Sequence, residues 1–184
     1  MSTTQLAGLA SAFALVAYIP GVLGAFIDDL SASLPGASRG KSHLTLLPPR
    51  PLAVAPQAAG ELLSAALSNF PPFEVGLTEI SRFPVTEVLY IALGEGGDEA
   101  HRAHATLNQG AFAYQEPFEY RPHVTLMVPQ EKTDVDTLQR AAARRWAGFK
   151  ASKRFLVDRL DFLGQEPGGA WEKLRQIRLD RGKS

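Results

Sequence analysis

A short pattern of histidine and threonine occurs twice in this sequence and constrains the fold more than any other feature. The first copy is HLTLL, from His43 to Leu47, and the second is HVTLM, from His123 to Met127. Each is a mostly apolar run of the length typical of a buried strand. Any fold of this chain must therefore accommodate two similar strands that carry the same two polar side chains.

Strand geometry places the polar residues of each copy on one face. Side chains at positions i and i+2 of a strand point the same way, and their neighbours point to the opposite side. His43 and Thr45 then share a face, while Leu44 and Leu46 point into a core. The second copy has the same alternation, which puts His123 and Thr125 on one face.

A cation stands two residues before each histidine and extends this face. Lys41 precedes His43, and Arg121 precedes His123. Pro122 can start its strand, which aligns Arg121 less well than Lys41. We interpret both cations as candidate substrate-binding residues. The alternative for each is a solvated position at the entry of a strand.

The elements around the two motifs occur in a repeated order. Each motif is followed by a predicted helix and then by two predicted strands. One further helix is predicted just before the second motif. The predicted helices are 56–68, 98–108 and 134–149, and the predicted strands are 73–80, 86–93, RFLVDRLDF and WEKLRQIRL. Equivalent elements lie about 80 residues apart, within ordinary boundary error. We expect a duplicated fold whose lobes pack about a pseudo-twofold axis, so that the motif strands near 42–47 and 122–128 face each other across a cleft.

The uncharged segment 6–27 needs separate consideration, because it resembles a signal peptide or membrane span. No Lys or Arg precedes Arg39, and Pro20-Gly21 divides the segment into pieces too short to cross a bilayer. We expect FALVAYI to be a buried strand and the following residues to form an amphipathic helix. The protein is accordingly expected to be cytoplasmic and not to associate with membranes.

Composition limits the partners. The 184 residues, 45% of them hydrophobic, can bury the core of a single domain, 1–184, made of two pseudo-symmetric lobes. Nineteen basic residues balance nineteen acidic ones, so net charge does not favour long polyanions. A small ligand, or the terminus of a longer one, is the expected partner, and we expect a monomer. The absence of cysteine excludes disulfides and thiolate metal sites.

Two imidazoles and two hydroxyls across a cleft are suited to phosphate chemistry. One neutral imidazole can take a proton from water while a protonated one gives a proton to a leaving oxygen. Threonine hydroxyls can donate to the non-bridging oxygens of a phosphate. Such a site needs no metal. A cyclic phosphate diester is a natural substrate, since its leaving oxygen stays attached and needs only a proton.

HLTL and HVTL, at this separation and within a repeated element order, resemble the motifs of the two-histidine (2H) phosphoesterase superfamily. Within it, the chain resembles the 2′-5′ RNA ligase and cyclic phosphodiesterase-like proteins. The resemblance implies an α+β, bilobal fold with two antiparallel sheets lining a central cleft and helices outside. It also implies a metal-independent, cofactor-free phosphodiesterase acting on 2′,3′-cyclic phosphate or 2′-5′ linked nucleotides or RNA ends. Microscopic reversibility allows reverse ligation, which we expect to be secondary because water competes with a ribose hydroxyl.

Carried over by residue, the resemblance makes His43 and His123 the acid–base pair, and Thr45 and Thr125 the phosphate-holding residues. The first histidine is then expected to protonate the leaving oxygen and the second to activate water. Many relatives continue the second motif with a small residue and an arginine, whereas Met127 and Val128 follow here. We therefore hypothesise that Lys41 or Arg121 supplies the missing cation. The alternative function is a non-catalytic nucleotide or RNA-end binding protein.

Aromatic residues near the motifs allow two interpretations each. Phe83, between the two strands predicted after the first motif and assigned with them to the first lobe, either stacks on a nucleobase or packs in the core. Tyr120 has the same alternatives.

His101 and His104 lie one helical turn apart, but without a clear third ligand we interpret them as surface residues and not as a metal site. The basic run from Arg144 to Arg154 either contacts RNA or is the solvated face of a helix whose Trp146 and Phe149 point inward.

Overall fold

The computed structural model describes residues 12–37, 40–166 and 168–180. Its elements are β1 Ala12–Tyr18, α1 Gly21–Ala32, β2 His43–Arg50, α2 Pro56–Ala66, β3 Phe73–Arg82, β4 Leu89–Leu93, α3 Gly97–Leu107, a 3-10 turn Gly110–Phe112, β5 His123–Met127, α4 Val135–Gly148, β6 Arg154–Val157, β7 Arg159–Gln165 and β8 Trp171–Arg178. Each predicted helix is present, with boundaries that differ by about two residues or fewer.

The first two elements are the strand and the helix predicted near the N-terminus. The strand FALVAYI is present as β1, and the amphipathic helix as α1. Residues 6–11 of the uncharged segment lie outside the described residues. Within the described ranges, no helix is both long enough and apolar enough to cross a membrane.

The strands form two four-stranded antiparallel sheets. The first sheet has the order β2-β1-β7-β8, and the second has the order β5-β4-β3-β6. This arrangement, with four helices among the described residues, confirms the predicted α+β class with two antiparallel sheets. Each motif strand is therefore an edge strand, and the two edges are in contact with each other.

Strands that follow one motif in the sequence join the sheet of the other motif, which the order of elements did not indicate. The pair β3–β4 was assigned to the first lobe, but it pairs with β5 and thus lies in the sheet of the second motif. RFLVDRLDF was predicted as one strand, but it breaks at Asp158 into β6 of the second sheet and β7 of the first. The Asp158 carbonyl accepts from the backbone N–H of Leu179 at 2.9 Å, and its carboxylate binds Arg159. Asp158 is thus the crossing point between the sheets.

A β-bulge follows the threonine in both motif strands. Thr45 lies opposite Val16 of β1, yet Leu47 lies opposite the adjacent Leu15, so Leu46 is an extra residue. In the same way, Leu126 is the extra residue of β5, between the partners of Tyr90 and Leu89 in β4. A bulge lets two consecutive side chains turn toward the same side. The consecutive apolar residues after each threonine are accordingly all fully buried.

Most of the buried side chains of both sheets belong to one connected apolar cluster. It includes Leu44 and Leu126 of the two motif strands, both fully buried. Trp146 of α4 is buried in the same cluster and its indole N–H donates to the Thr78 carbonyl, while Phe149 packs against it. The aromatic residues of the basic run thus point inward, as the second of the two interpretations predicted.

Candidate active site

The two motifs lie on facing edges of the two sheets. His43, Thr45, His123 and Thr125 are all half-buried, and the residues that alternate with them are buried in the core. The contact between β2 and β5 brings the two polar faces together. The predicted alternation within each motif is therefore present, and the fold places both copies at one site.

The backbone fixes the same tautomer of both histidines. Nδ1 of His43 lies 2.7 Å from the carbonyl oxygen of Lys41, and Nδ1 of His123 lies 2.7 Å from that of Arg121. A carbonyl oxygen can only accept, so each Nδ1 must carry the proton. Each ring then uses Nε2 to take up or release a second proton. Two equivalent Nε2 atoms on facing strands can serve as an acid and a base.

The environments of the two imidazoles differ. Burial lowers the pKa of His123 below its ordinary value of 6.5, and the charges of His43 and Arg121 lower it further. The hydrogen bond to the Arg121 carbonyl opposes this decrease. This effect of His43 agrees with the contact between the two motif strands. A neutral His123 is accordingly favoured at neutral pH.

Three aromatic rings surround the histidines. Phe83 stacks on Tyr90 with ring centroids 4.2 Å apart, and its edge contact with His123 has a centroid distance of 4.9 Å. Tyr18 lies opposite His43 in the β1–β2 ladder, with ring centroids 6.0 Å apart. The structure thus brings Phe83 to the site beside the second motif, and not beside the first.

Sequence reasoning missed Tyr18 and Tyr90. The signal that could have found Tyr18 is the alternation of β1, where it shares a face with Val16, opposite to the buried Leu15 and Ala17. Burial raises the pKa of the Tyr18 hydroxyl, and the charge of Asp161 raises it further, so this hydroxyl stays protonated.

The two candidate cations lie just before the motif strands, because β2 begins at His43 and β5 begins at His123. Both Lys41 and Arg121 are exposed. The Arg121 guanidinium carbon is 6.0 Å from the centre of the Phe83 ring, so this cation lies at the second motif. Lys41 lines a cavity beside the first motif.

A cavity of about 910 Å³ adjoins the first motif. Its lining includes Tyr18 and Lys41 from the site and Asp161, Trp171 and Lys173 from the two C-terminal strands. Lys173 Nζ lies 3.3 Å from a carboxylate oxygen of Asp161. Cavities that hold nucleotide-sized ligands are of this order of volume. The cavity therefore offers room for a ligand beside Tyr18 and Lys41.

One of the two histidines of α3 does not lie where it was predicted, and it packs against Tyr120. His104 is buried, at 9% exposure, and stacks on Tyr120 with centroids 3.8 Å apart. The prediction of a surface residue is wrong for His104, because its Nδ1–H donates to the Leu46 carbonyl in the interior. His101 is exposed and contacts the same tyrosine ring. Across the described ranges, no group of three His, Asp or Glu side chains is arranged to hold a metal ion.

Comparison with known proteins identifies the family. A family model described as the 2′-5′ RNA ligase superfamily matches residues 19–169, which include both motifs. The chain belongs to the 2′-5′ RNA ligase superfamily. Membership confirms the resemblance to 2H phosphoesterases and supports an enzyme with a phosphodiesterase type of activity. A search of curated proteins gave no significant match.

Several solved structures share the fold. Escherichia coli LigT complexed with 3′-AMP is 16% identical and superposes with a TM-score of 0.64, over 92% of this chain and 98% of LigT. A protein described as a phosphoesterase is 14% identical, with a TM-score of 0.65 over the same shares. Kluyveromyces marxianus Usb1 is 12% identical, with a TM-score of 0.59 over 93% of this chain and 99% of Usb1. At these identities the comparisons establish the fold alone.

Proposed function

We propose that the protein is a metal-independent phosphodiesterase that hydrolyses 2′,3′-cyclic phosphates or 2′-5′ linkages of nucleotides or RNA ends. The observation that carries this proposal is the pair of imidazoles on facing strands, both held by Nδ1 so that Nε2 is the working nitrogen. In-line displacement at phosphorus needs a base and an acid on opposite sides, and facing edge strands can supply them.

His123 is the general base and His43 the general acid in this proposal. The lowered pKa of His123 supports the assignment, because a base must be neutral before it acts. Nε2 of His123 takes a proton from water as the oxygen attacks phosphorus. The bond from phosphorus to the ribose oxygen breaks, and Nε2–H of His43 gives its proton to that oxygen. Exchange with solvent then restores both rings.

The hydroxyls of Thr45 and Thr125 donate hydrogen bonds to the non-bridging phosphate oxygens, where negative charge increases in the transition state. Lys41 and Arg121 add positive charge at the mouth of the site, in place of the cation that many relatives carry after the second motif. Phe83 provides an apolar wall for the base or ribose beside His123. The cavity beside Tyr18 and Lys41 takes the remainder of the nucleotide.

The decisive experiment is a substrate panel assayed with EDTA present. It contains 2′,3′-cyclic nucleotides, 2′-5′ dinucleotides and ADP-ribose cyclic phosphate. We expect at least one to be hydrolysed, and His43→Ala and His123→Ala each to lower kcat by roughly 10²- to 10⁴-fold. Full activity in either variant would disprove the acid–base assignment.

Threonine variants test the phosphate contacts in the same assay. Thr45→Val and Thr125→Val remove one hydroxyl donor each and should lower kcat by roughly 10²- to 10³-fold. Thr106→Val, on the exposed face of α3, is the matched control and should be unchanged. Wild-type KM and kcat in a Lys41→Ala, Arg121→Ala double variant would refute the role of the two cations.

The alternative is a nucleotide or RNA-end binding protein with the same fold. It predicts that the panel yields no turnover while 2′,3′-cyclic nucleotides still bind and perturb the titration of His43 and His123.

Ligation of RNA ends remains a secondary expectation, because water competes with the ribose hydroxyl. The monomeric state and the cytoplasmic location also remain predictions.

A further inference from the structure

The helix before each motif donates a hydrogen bond to the strand of the other motif. Nδ1–H of His104, on α3, donates to the Leu46 carbonyl of β2 at 2.8 Å. Reciprocally, the Ser31 hydroxyl, on α1, donates to the Leu126 carbonyl of β5 at 2.6 Å. Leu46 and Leu126 are the extra residues of the two bulges. The helix before each motif is thus hydrogen-bonded to the bulge of the other motif strand.

Tyr120 adds a third contact between the motifs. Its hydroxyl donates to the Thr45 carbonyl at 2.8 Å, and its ring lies flat on His104, with an interplanar angle of 4°. His101 contacts the same ring at a centroid distance of 5.4 Å. Tyr120 also stands just before β5, which begins at His123. One residue therefore joins the main chain of the first motif to the start of the second.

A buried ion pair anchors the connection between α3 and β5, residues 108–122, which contains Tyr120. Arg50, at the end of β2, is 2% exposed and pairs with Glu116. Its guanidinium also donates to Asn108 Oδ1 at 2.7 Å and to the Phe112 carbonyl at 3.0 Å. Burial raises the pKa of Tyr120 far above its ordinary value, and the charge of Glu116 raises it further. The Tyr120 hydroxyl thus remains a donor at neutral pH.

We propose that Tyr120, His104 and Ser31 form an interlobe clasp that sets the separation of the two motifs, with Tyr120 as its principal positioning residue. β2 and β5 belong to different sheets, so no shared ladder between them fixes their spacing in the described structure. Side-chain donors that reach carbonyls beside the motif residues provide that constraint. The consequence for catalysis rests on the proposed phosphodiesterase function, because a shift of about 1 Å between acid and base can lower a rate about 100-fold.

Tyr120→Phe tests the clasp directly, because it removes the hydroxyl and retains the ring that stacks on His104. Tyr114→Phe is the matched control, since it removes one hydroxyl from the same connection, where the Tyr114 ring lies over Arg50. The first readout is the pKa of His43 and His123, measured by NMR titration of the imidazole nitrogens. The charged groups that act on His123 are His43 on β2 and Arg121 before β5, and the rings of Phe83 and Tyr90 cover it.

We expect Tyr120→Phe to raise the pKa of His123, because separating the motifs hydrates this ring and weakens the effect of His43. Ser31→Ala should move it in the same direction, which keeps the test valid if Tyr120→Phe does not fold. In the activity assay, kcat should fall by roughly 10- to 100-fold, with a smaller change in KM. A loss of stability alone would leave the titration of the folded protein unchanged.

An unchanged His123 titration in folded Tyr120→Phe or Ser31→Ala would overturn the proposal. An equal shift in Tyr114→Phe would overturn it as well, since the effect would not depend on the contact with Thr45. The titration needs no turnover, so it distinguishes failure of the clasp from failure of the proposed function. If no substrate is hydrolysed and the titration still shifts as expected, the clasp stands and the phosphodiesterase proposal does not.

Discussion

At the level of single residues, the backbone carbonyl two positions before each histidine determines which nitrogen is available for chemistry. Lys41 and Arg121 thus act through their main chain, whatever their side chains do. This contact orients each imidazole as well as fixing its tautomer, which a general acid or base requires. Replacement of either cation can therefore alter the charge at the site while retaining the orientation of the histidines.

Arg121→Gln should raise the pKa of His123, because it removes a positive charge that lowers this pKa and retains the carbonyl that accepts from Nδ1. If neutral His123 is the base, the ascending limb of kcat/KM against pH moves to higher pH. The measurement is a pH–rate profile together with an NMR titration of His123. Arg140→Gln, on the exposed face of α4, is the control. A limb that stays in place or moves to lower pH would contradict the assignment.

The lowered pKa of His123 also predicts how stability depends on pH. Between the folded pKa and the ordinary value of 6.5, the unfolded chain binds more protons than the folded one. The free energy of unfolding should therefore fall as pH decreases through this interval, and this contribution should be constant above it. Urea denaturation at several pH values measures the effect. His123→Gln should lose this part of the slope, and a wild-type slope in that variant would show that other groups cause it.

At the level of elements, the bulges explain the composition of the motifs. A regular strand would place one of the two apolar residues after each threonine on the polar face, but the extra residue turns both toward the core. The bulge also interrupts the ladder at a carbonyl, which is then available to a side-chain donor. Each motif strand is thereby anchored by its buried apolar residues and connected to the helix that precedes the other motif by the same local irregularity.

Leu126→Ala should lower the free energy of unfolding by about 2–5 kcal/mol, because the side chain is fully buried at the bulge of β5. Val128→Ala is the control in the same segment, since Val128 is 54% exposed and its truncation should change stability by about 0.5 kcal/mol or less. Chemical denaturation measures both. Equal effects of the two substitutions would mean that the end of β5 is not packed as described.

At the level of the whole molecule, each sheet combines strands from distant parts of the sequence, so both motifs depend on most of the chain for their position. The first sheet needs β7 and β8 from the C-terminal region, and the second contains β3 and β4 from between the motifs. The sheet that contains each motif strand is therefore not formed by one continuous half of the sequence. The loop after α1 contributes as well, because the Gly36 carbonyl accepts from the Val128 N–H at 2.9 Å beyond the end of β5.

Gly36→Ala should destabilise the protein and disturb the contact between the loop after α1 and the end of β5. Gly36 has a φ of +73°, and an added Cβ would lie 2.2 Å from the Val128 carbonyl oxygen. Gly21→Ala is the matched control, because Gly21 has a φ of +64° with no atom within 4 Å of the added Cβ. Both variants carry the strain of a positive φ, about 1–2 kcal/mol, and Gly36→Ala should lose more. Thermal denaturation measures the difference, and equal losses would argue against a close contact between this loop and β5.

The sequence by itself determined the two motif strands, the alternation within them, the helices between them and the superfamily resemblance. These features depend on local periodicity, which the chain carries in the spacing of its apolar residues. The tertiary structure decided which sheet each strand joins, that Phe83 lies beside His123, and that Tyr120 and His104 reach the first motif. These depend on contacts between residues far apart in sequence, and alternation specifies only the face of a strand and not its neighbour. The lowered pKa of His123 belongs to the second group, since burial is produced by the complete fold.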